Sequence, residues 1–359
     1  MNISNKYSII TILILTLLLV NLNYAFTEKT PKNQKLVVRC RKKCQNTNRK
    51  LKRFCKKCLS LDKTDTNMIF EDYKIPEVNY DNRNSSIILL SNSTTFNYSK
   101  IENLIVFGDS HSVIDTNFID MTYTGLNHSR GKNWPLYLIE FNHMKLWNYA
   151  LGTSVINNKY SLERHDLKEQ FEHFYENMSN GKRFNNVWNE NNSLFVFWFG
   201  ANDVNVLNQE VFDEVITDLF NIINKIYNIG GRNLLLFGAF PIHKNPLRAS
   251  WYKHKNCTID DCSVIKNEVS TFNNKIIEKG KIFFEKYKDV NIIYYSTVDI
   301  IEHIISNCNR YEFKNCINAW KFNKKNNLHE YFWVDSHISS RANKFLAKNI
   351  NDLLKSLNS

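Results

Sequence analysis

The sequence predicts an α/β fold in which helices cover both faces of a central parallel sheet. Short apolar runs indicate buried strands, and they lie at 104–107, 146–150, 194–199, 233–237 and 292–295. Helical periodicity is found between and after these runs, at 212–229, 263–287 and 339–357. Strands that are apolar throughout and alternate with helices are typical of a parallel sheet buried on both faces.

The first strand leads directly into the sequence Gly-Asp-Ser-His-Ser at 108–112. Loops that follow the strands of such a sheet usually carry the binding and catalytic groups. A serine at a strand-to-helix turn lies near the helix N-terminus, which favours the oxyanion formed during acyl transfer. Ser110 is therefore a candidate nucleophile, and His111 beside it is a candidate pocket residue. The structural alternative is that Asp109 and Ser110 form a simple turn and a helix N-cap.

The strand at 194–199 is followed by Gly-Ala-Asn-Asp at 200–203. The side-chain amide of Asn202 can donate a hydrogen bond to a developing oxyanion at this edge of the sheet. An Asx-turn after the strand is the alternative, and the serine motif at the end of the first strand makes it the weaker interpretation.

Near the end of the chain, Trp-Val-Asp-Ser-His-Ile at 333–338 precedes the last predicted helix. A histidine there can act as a general base towards a serine hydroxyl. A carboxylate just before it can orient the imidazole and stabilise its charged form. His337 and Asp335 are the candidates for these two roles, and a surface or capping histidine is the alternative.

Together the three motifs resemble the GDSL, or SGNH, family of serine esterases and lipases, over residues 104–350. The lesser strings that also match its fungal and plant-like branch are 148–152, 230–234, 240–241, 272–274 and Cys316. The resemblance implies a flavodoxin-like three-layer α/β/α sandwich with a central parallel sheet. It also implies hydrolysis of carboxylic esters through an acyl-enzyme, without a metal or another cofactor.

Carried over to this sequence, the family pattern makes Ser110 the nucleophile and gives its own N–H a place in the oxyanion hole. Asn202 donates to the same hole, His337 is the base, and Asp335 orients it. The family usually separates the last two by two residues, whereas one residue separates them here. Either the local turn compensates, or a main-chain carbonyl orients His337 instead.

The last oxyanion donor has two candidates. Ungapped alignment of the Asn-Tyr-Ala string at 148–150 places the family's oxyanion glycine on Thr153, whereas Gly152 matches by residue type. The alignment register therefore favours the N–H of Thr153 as the oxyanion donor, and the residue type favours that of Gly152.

Residues 1–25 have the features of a cleaved signal peptide. Lys6 precedes an apolar run at 9–20, and a small residue, Ala25, follows. The run is short for a bilayer about 30 Å thick, so an uncleaved anchor is the weaker alternative. No other stretch of the sequence approaches transmembrane length. We therefore expect a secreted protein with no transmembrane segment after cleavage.

Eight cysteines after a signal peptide predict disulfides. Cys257 with Cys262 and Cys308 with Cys316 are close enough for local bridges. Cys40, Cys44, Cys55 and Cys58 allow three connectivities, with a zinc site as the alternative. Glycosylation sequons begin at Asn84, Asn92, Asn97, Asn127, Asn177, Asn191 and Asn256. Together these features predict an extracellular glycoprotein.

The formal charge of +12 belongs to one segment. Residues 26–63 contain 14 Lys and Arg but only Glu28 and Asp62 as acids, and the rest of the chain is nearly neutral. This distribution argues against a catalytic domain that binds nucleic acid. We divide the chain into a signal peptide (1–25), a basic Cys-rich segment (26–63), a polar connector (64–100) and a hydrolase domain (101–359). The basic segment is interpreted as a binder of acidic glycans or surfaces, a processed pro-segment or a docking appendage.

These observations predict a secreted esterase that acts on short acyl esters, above all acetyl esters of carbohydrate. A lipase or phospholipase on the same scaffold is the close alternative. A non-catalytic glycan-binding protein of the same fold is the alternative from another class, because the shortened spacing of Asp335 and His337 departs from the family.

Overall fold

The computed structural model describes residues 75–248, except 77 and 79, and residues 263–358. The predicted signal peptide, the basic segment, the Cys257–Cys262 pair and the sequon at Asn256 lie outside the described residues. Among the helices that are described, none is long and apolar enough to cross a membrane.

A six-stranded sheet forms the centre of the fold, in the order β1–β8–β7–β6–β2–β5. All neighbours are parallel except β1, which is antiparallel to β8. The strands are β1 (Ile87–Leu89), β2 (Asn103–Gly108), β5 (Lys145–Asn148), β6 (Ser193–Trp198), β7 (Asn233–Phe237) and β8 (Asn291–Tyr295). The five parallel strands have the flavodoxin-like order, and the strand order reverses at β2.

Four further strands form two small ribbons outside this sheet. They are β3 (Thr116–Asn117) with β4 (Thr122–Tyr123), which are antiparallel, and β9 (Asn315–Ala319) with β10 (Tyr331–Trp333), which are parallel. The second ribbon leads into the turn that carries His337.

Seven α-helices accompany the strands in the described part of the chain. They are α1 (Trp134–Asn142), α2 (Leu167–Met178), α3 (Ala201–Val206), α4 (Phe212–Asn228), α5 (Ser263–Lys286), α6 (Thr297–Ser306) and α7 (Ser340–Ser356). The three predicted helices correspond to α4, α5 and α7. The predicted strands correspond to β2, β5, β6, β7 and β8.

The helices cover both faces of the sheet. Phe195 and Trp198 of β6 are three positions apart, so their side chains point to opposite faces. The Phe195 ring packs against Phe174 of α2, with 5.8 Å between ring centroids, and the Trp198 ring packs against Trp134 of α1 at 6.0 Å. The predicted three-layer α/β/α sandwich is therefore confirmed.

The central sheet and the core include residues that precede the predicted hydrolase domain at 101–359. Ile87–Leu89, from the predicted polar connector, forms the edge strand beside β8. Phe96 and Tyr98 are also buried in the hydrophobic core. The apolar character of these few residues outweighs the polar composition around them, since each one finds a place on the sheet or in the core.

The described residues contain one disulfide, between Cys308 and Cys316, as the spacing predicted. The sequons are not equally open to modification. Asn127 and Asn177 are buried, and each side-chain amide donates to a backbone carbonyl, at 2.7 Å to Gly131 and 2.8 Å to Phe118. These two asparagines are therefore not accessible acceptors in the folded chain.

Candidate active site

The serine motif lies at the point where the strand order reverses. Gly108, the last residue of β2, pairs with Trp198, the last residue of β6, so the two strands end side by side. Ser110 follows the first of these strands and Asn202 follows the second. In open α/β sheets this crevice at the carboxyl ends of the strands is the usual binding place.

The turn that carries Ser110 is held by its own backbone. Ser112 and Val113 donate their N–H groups to the carbonyl of Asp109, at 3.0 and 3.1 Å. The carboxylate of Asp109 accepts the N–H of His111 at 2.9 Å. Gly108 permits the turn because a Cβ there would lie 2.9 Å from both Ser112 Oγ and the carbonyl oxygen of Trp198. The hydroxyl of Ser110 is thereby held above the end of the sheet.

A second tight turn carries His337. Trp333 and Ile338 form a β-bridge across it, and Val334 donates its N–H to the carbonyl of His337 at 2.8 Å. Inside this turn, Asp335 Oδ1 accepts both the backbone N–H and the ring Nδ1 of His337, each at 2.9 Å. The turn therefore compensates for the missing spacer residue, and no main-chain carbonyl is needed to orient the ring.

The other ring nitrogen of His337 reaches the serine. His337 Nε2 lies 2.8 Å from Ser110 Oγ. Because a carboxylate only accepts, the contact with Asp335 places the proton on Nδ1 and leaves Nε2 to accept the hydroxyl of Ser110. Burial alone would raise the pKa of Asp335, but the hydrogen bonds and charge of His337 hold that pKa well below its usual range. Asp335, His337 and Ser110 thus form a continuous hydrogen-bonded chain.

Asn202, at the start of α3, faces the same region. Its Nδ2 donates to the carbonyl of Ser154 at 2.9 Å and lies 3.4 Å from Asp109 Oδ2. Its Oδ1 accepts from Nη1 of Arg164 at 3.1 Å. A guanidinium has no acceptor, so this contact fixes which end of the Asn202 amide is the donor.

The loop after β5 presents the last candidate donors. Thr153 has a left-handed backbone with φ of 66°, and its carbonyl accepts from Arg164 Nη1 at 3.2 Å. Within the described part of the chain, the N–H groups of Ser110, Gly152 and Thr153 have no hydrogen-bond acceptor. Arg164 therefore ties the Thr153 loop to Asn202. Both Gly152 and Thr153 stay candidates for the oxyanion donor.

Two side chains at the site were not predicted from the sequence. His128 stacks on His337, with ring centroids 4.2 Å apart and 15° between the planes. Arg164 joins Asn202 to the Thr153 loop as described above. Both belong to loops outside the three motifs, so no local pattern marks them. His111, which was a candidate pocket residue, stacks on Phe240 at 4.1 Å and approaches His337 at 5.1 Å.

Burial sets the charge of several groups around Ser110 and His337. It lowers the pKa of His128 to about 3, and it also lowers that of His111, in each case with the help of the neighbouring His337. Burial raises the pKa of Asp109 to about 7 and that of Asp203 to about 6. Both histidines beside His337 are therefore neutral near pH 7.

Comparison with known proteins agrees with this geometry. Residues 104–350 match the family model described as GDSL-like Lipase/Acylhydrolase. The chain belongs to the GDSL lipase/acylhydrolase family. The match covers all three motifs and the central sheet except β1 and the first residue of β2.

Two curated relatives are similar over part of the chain. The GDSL esterase/lipase LIP-4 of Arabidopsis thaliana is 28% identical over 138 residues, which are 36% of this chain and 37% of the relative. An acetylesterase of Thermothelomyces thermophilus is 28% identical over 169 residues, which are 40% of this chain and 55% of the relative. The chain thus spans roughly a third to a half of the length of these relatives.

Solved structures of other hydrolases are similar to this chain at low identity. A lipase/acylhydrolase from Enterococcus faecalis has a TM-score of 0.39 at 11% identity, covering 71% of this chain and 96% of that one. Est24, a carbohydrate acetylesterase from Sinorhizobium meliloti, has a TM-score of 0.40 at 11% identity, covering 71% and 99%.

Proposed function

We propose that this chain is a serine esterase that hydrolyses short acyl esters of carbohydrate, in particular acetyl esters. The observation that carries the proposal is the hydrogen-bonded chain from Asp335 through His337 to Ser110, with contacts of 2.9 and 2.8 Å. A serine hydroxyl becomes an effective nucleophile near neutral pH when a positioned base takes its proton.

In the first half of the proposed reaction, Ser110 Oγ attacks the ester carbonyl carbon while His337 Nε2 takes the hydroxyl proton. Asp335 stabilises the imidazolium that results. The negative charge on the carbonyl oxygen is met by the N–H of Ser110, the amide of Asn202 and an N–H of the 152–153 loop. Collapse of this intermediate breaks the ester bond, and His337 gives its proton to the leaving alcohol.

The second half releases the acid. A water molecule attacks the acyl-serine carbonyl as His337 takes one of its protons, and the same donors bind the new oxyanion. The bond to Ser110 Oγ then breaks, and Oγ recovers a proton from His337. One ester and one water give one alcohol and one carboxylic acid, and the enzyme returns to its starting state.

The cavity beside the nucleophile is small. Within the described residues, the cavity that Ser110 lines has a volume of about 10 Å³, and His128 and His337 form other parts of its wall. The similarity over part of the chain to an acetylesterase supports a short acyl group.

The test combines a covalent probe with a chain-length series. A fluorophosphonate should label the protein on Ser110, as located by peptide mass spectrometry, and Ser110→Ala should abolish the labelling. On nitrophenyl esters, kcat/KM should fall from acetate to octanoate. An increase with chain length would favour a lipase, and a folded protein that the probe does not label would favour a non-catalytic binder.

We further propose that the chain is exported and that residues 26–63 attach it to acidic glycans. The Lys6-containing apolar start and the Cys308–Cys316 disulfide support export, since disulfides persist in oxidising compartments. N-terminal sequencing of the exported protein should give a start near residue 26. Binding to a heparin column should weaken when residues 26–63 are deleted, while esterase activity on nitrophenyl acetate is kept.

A further inference from the structure

The imidazole of His337 is covered on one face by a second histidine. The ring of His128 lies nearly parallel to it, with centroids 4.2 Å apart and 15° between the planes. The ring of His111 also contacts His337, with centroids 5.1 Å apart and 51° between the planes. The stack with His128 is therefore the closer and more parallel of the two ring contacts.

Asn127 and Ser129, the residues on either side of His128, hold the loop that carries it. The side-chain amide of Asn127 donates to the carbonyls of Gly125 and Gly131 at 2.9 and 2.7 Å, and its oxygen accepts the N–H of Ser129 at 2.8 Å. Both Asn127 and Ser129 are buried, and their polar groups are used within the loop. His128 stands between them as the side chain that projects onto His337.

The same loop is joined to the helix that follows the catalytic histidine. Ser340, the first residue of α7, donates its N–H to the carbonyl of Ser129 at 2.8 Å, and its hydroxyl bonds to the carbonyl of Lys132 at 2.9 Å. Ser340 is three residues beyond His337. The two stacked rings are therefore carried by backbone segments that are hydrogen-bonded to each other.

The charge state of His128 matters for a ring in this place. Because its pKa is lowered to about 3, first by burial and then by His337, His128 presents a neutral π face at the pH at which an esterase works. Asp335 and Arg130 are the other charged groups that act on it. A neutral aromatic face attracts a cation, whereas a charged one would repel it.

We propose that His128 is a positioning residue that holds the ring plane of His337 and stabilises its imidazolium form through the stacked π face. This role rests on the proposed esterase function, since the imidazolium arises when His337 takes the proton of Ser110. The contribution appears in the transition state and not in substrate binding, so it should act on kcat with little change in KM.

Three substitutions at one position separate the π face from packing and charge. His128→Phe keeps an aromatic face and should stay within about threefold of the wild-type kcat. His128→Leu fills much of the same space without a π face and should lose about tenfold. His128→Lys places a positive charge beside the forming imidazolium and should lose more than the Leu variant.

The matched control is His173→Leu. His173 is also half-buried and stacked, on Phe118 with centroids 4.4 Å apart at 23°, but it lies on α2 rather than on the active-site loop. Its replacement should leave kcat for nitrophenyl acetate unchanged. Thermal unfolding of all four variants shows which of them fold, and comparison is restricted to those.

Equal kcat values for the Phe and Leu variants would overturn the proposal, and so would a Lys variant as active as the wild type. If the Leu variant does not fold, His128→Met replaces it in the comparison with the Phe variant, because Met also lacks a π face. These failures are distinct from failure of the esterase function itself. If the esterase function were wrong, the wild type would neither react with fluorophosphonate nor hydrolyse any ester of the series.

Discussion

Asp335 Oδ1 lies 2.9 Å from both the backbone nitrogen and the ring Nδ1 of His337. One carboxylate oxygen thus fixes the turn and the ring together. The side chain of His337 is 15% exposed and that of Asp335 is 33% exposed, so the pair is reached by solvent from the carboxylate side. Because the same oxygen serves both contacts, the orientation of the imidazole depends on the geometry of the turn.

Asp335→Asn should therefore reduce kcat/KM strongly. An Asn can turn its amide group towards Nδ1 and stabilise the wrong tautomer, which costs about 10⁴-fold in a serine protease. His337→Ala should be nearly as damaging as loss of the nucleophile, because an unassisted serine is a poor nucleophile. Steady-state kinetics on nitrophenyl acetate, with circular dichroism as the folding control, compares the two. A fully active His337→Ala enzyme would contradict the proposed mechanism.

Ser110→Ala should abolish esterase activity and leave the fold intact. Removing the nucleophile of such a triad costs about 10⁶-fold in kcat. The Ser110 hydroxyl is bonded to His337 Nε2 at 2.8 Å, and the turn around it is held by backbone contacts to Asp109, so the structure should survive the change. The thermal midpoint should stay close to that of the wild type. Retention of a tenth of the activity would show that another residue is the nucleophile.

Asn202→Ala should lower kcat much more than it changes KM. In the proposed mechanism its amide contacts the oxyanion mainly in the transition state, and one such donor is worth about 3 kcal/mol. Arg164→Gln provides a companion test, because it removes the charged donor at 3.1 Å that fixes the Asn202 amide. It should reduce kcat by a smaller factor. A change confined to KM in both variants would make Asn202 a ground-state binding residue instead.

Thr153→Gly should keep esterase activity. The left-handed backbone at φ of 66° suits glycine and costs about 1–2 kcal/mol for a residue with a Cβ. The backbone N–H of residue 153 is kept, so the oxyanion hole should be preserved. Gly152→Ala is the matched variant, since a Cβ at Gly152 would have no neighbour within 4 Å among the described residues. A tenfold loss of kcat in Thr153→Gly would show that the threonine side chain contributes.

Asp109→Asn should change the pH dependence of folding stability. Asp109 is buried and its pKa is raised to about 7, so the folded state keeps a proton that the unfolded chain loses from about pH 4. The wild type is therefore destabilised as the pH rises from 4 to 7. Relative to it, the variant should gain up to about 1.4 kcal/mol per pH unit over this interval and nothing further above pH 8. Urea unfolding at pH 5, 6, 7 and 8 measures the difference, and parallel curves would contradict the raised pKa.

The sequence predicted the sheet better than the helices. The β7 bounds agree at both ends, and β2, β6 and β8 agree to within one residue, because buried parallel strands are continuous apolar runs. Helix α1 was missed, since its sequence, Trp-Pro-Leu-Tyr-Leu-Ile-Glu-Phe-Asn, is apolar on nearly every side and shows no clear period. Helices α2, α3 and α6 were also missed, and all three are at most a few turns long.

Some residues of the candidate site could be predicted from the sequence, and others could not. Ser110, Asn202 and His337 lie in contiguous motifs at the ends of strands, so local sequence and the family resemblance identified them. His128 and Arg164 reach the site from loops, and their places depend on packing against distant parts of the chain. Asp335 is intermediate. Its motif was visible, but its function depended on the shape of a turn that the residue spacing alone did not specify.

The antiparallel strand β1 also has a consequence for any shortened version of the protein. The family match begins at residue 104, yet Ile87, Ile88 and Leu89 occupy the outer edge of β8. A chain cut at residue 101 would leave β8, whose residues Ile292, Ile293 and Tyr294 are apolar or aromatic, with a row of free N–H and C=O groups. An uncovered hydrophobic edge of this kind recruits strands from other molecules. By pairing with β8, strand β1 thus covers an edge that would otherwise favour aggregation.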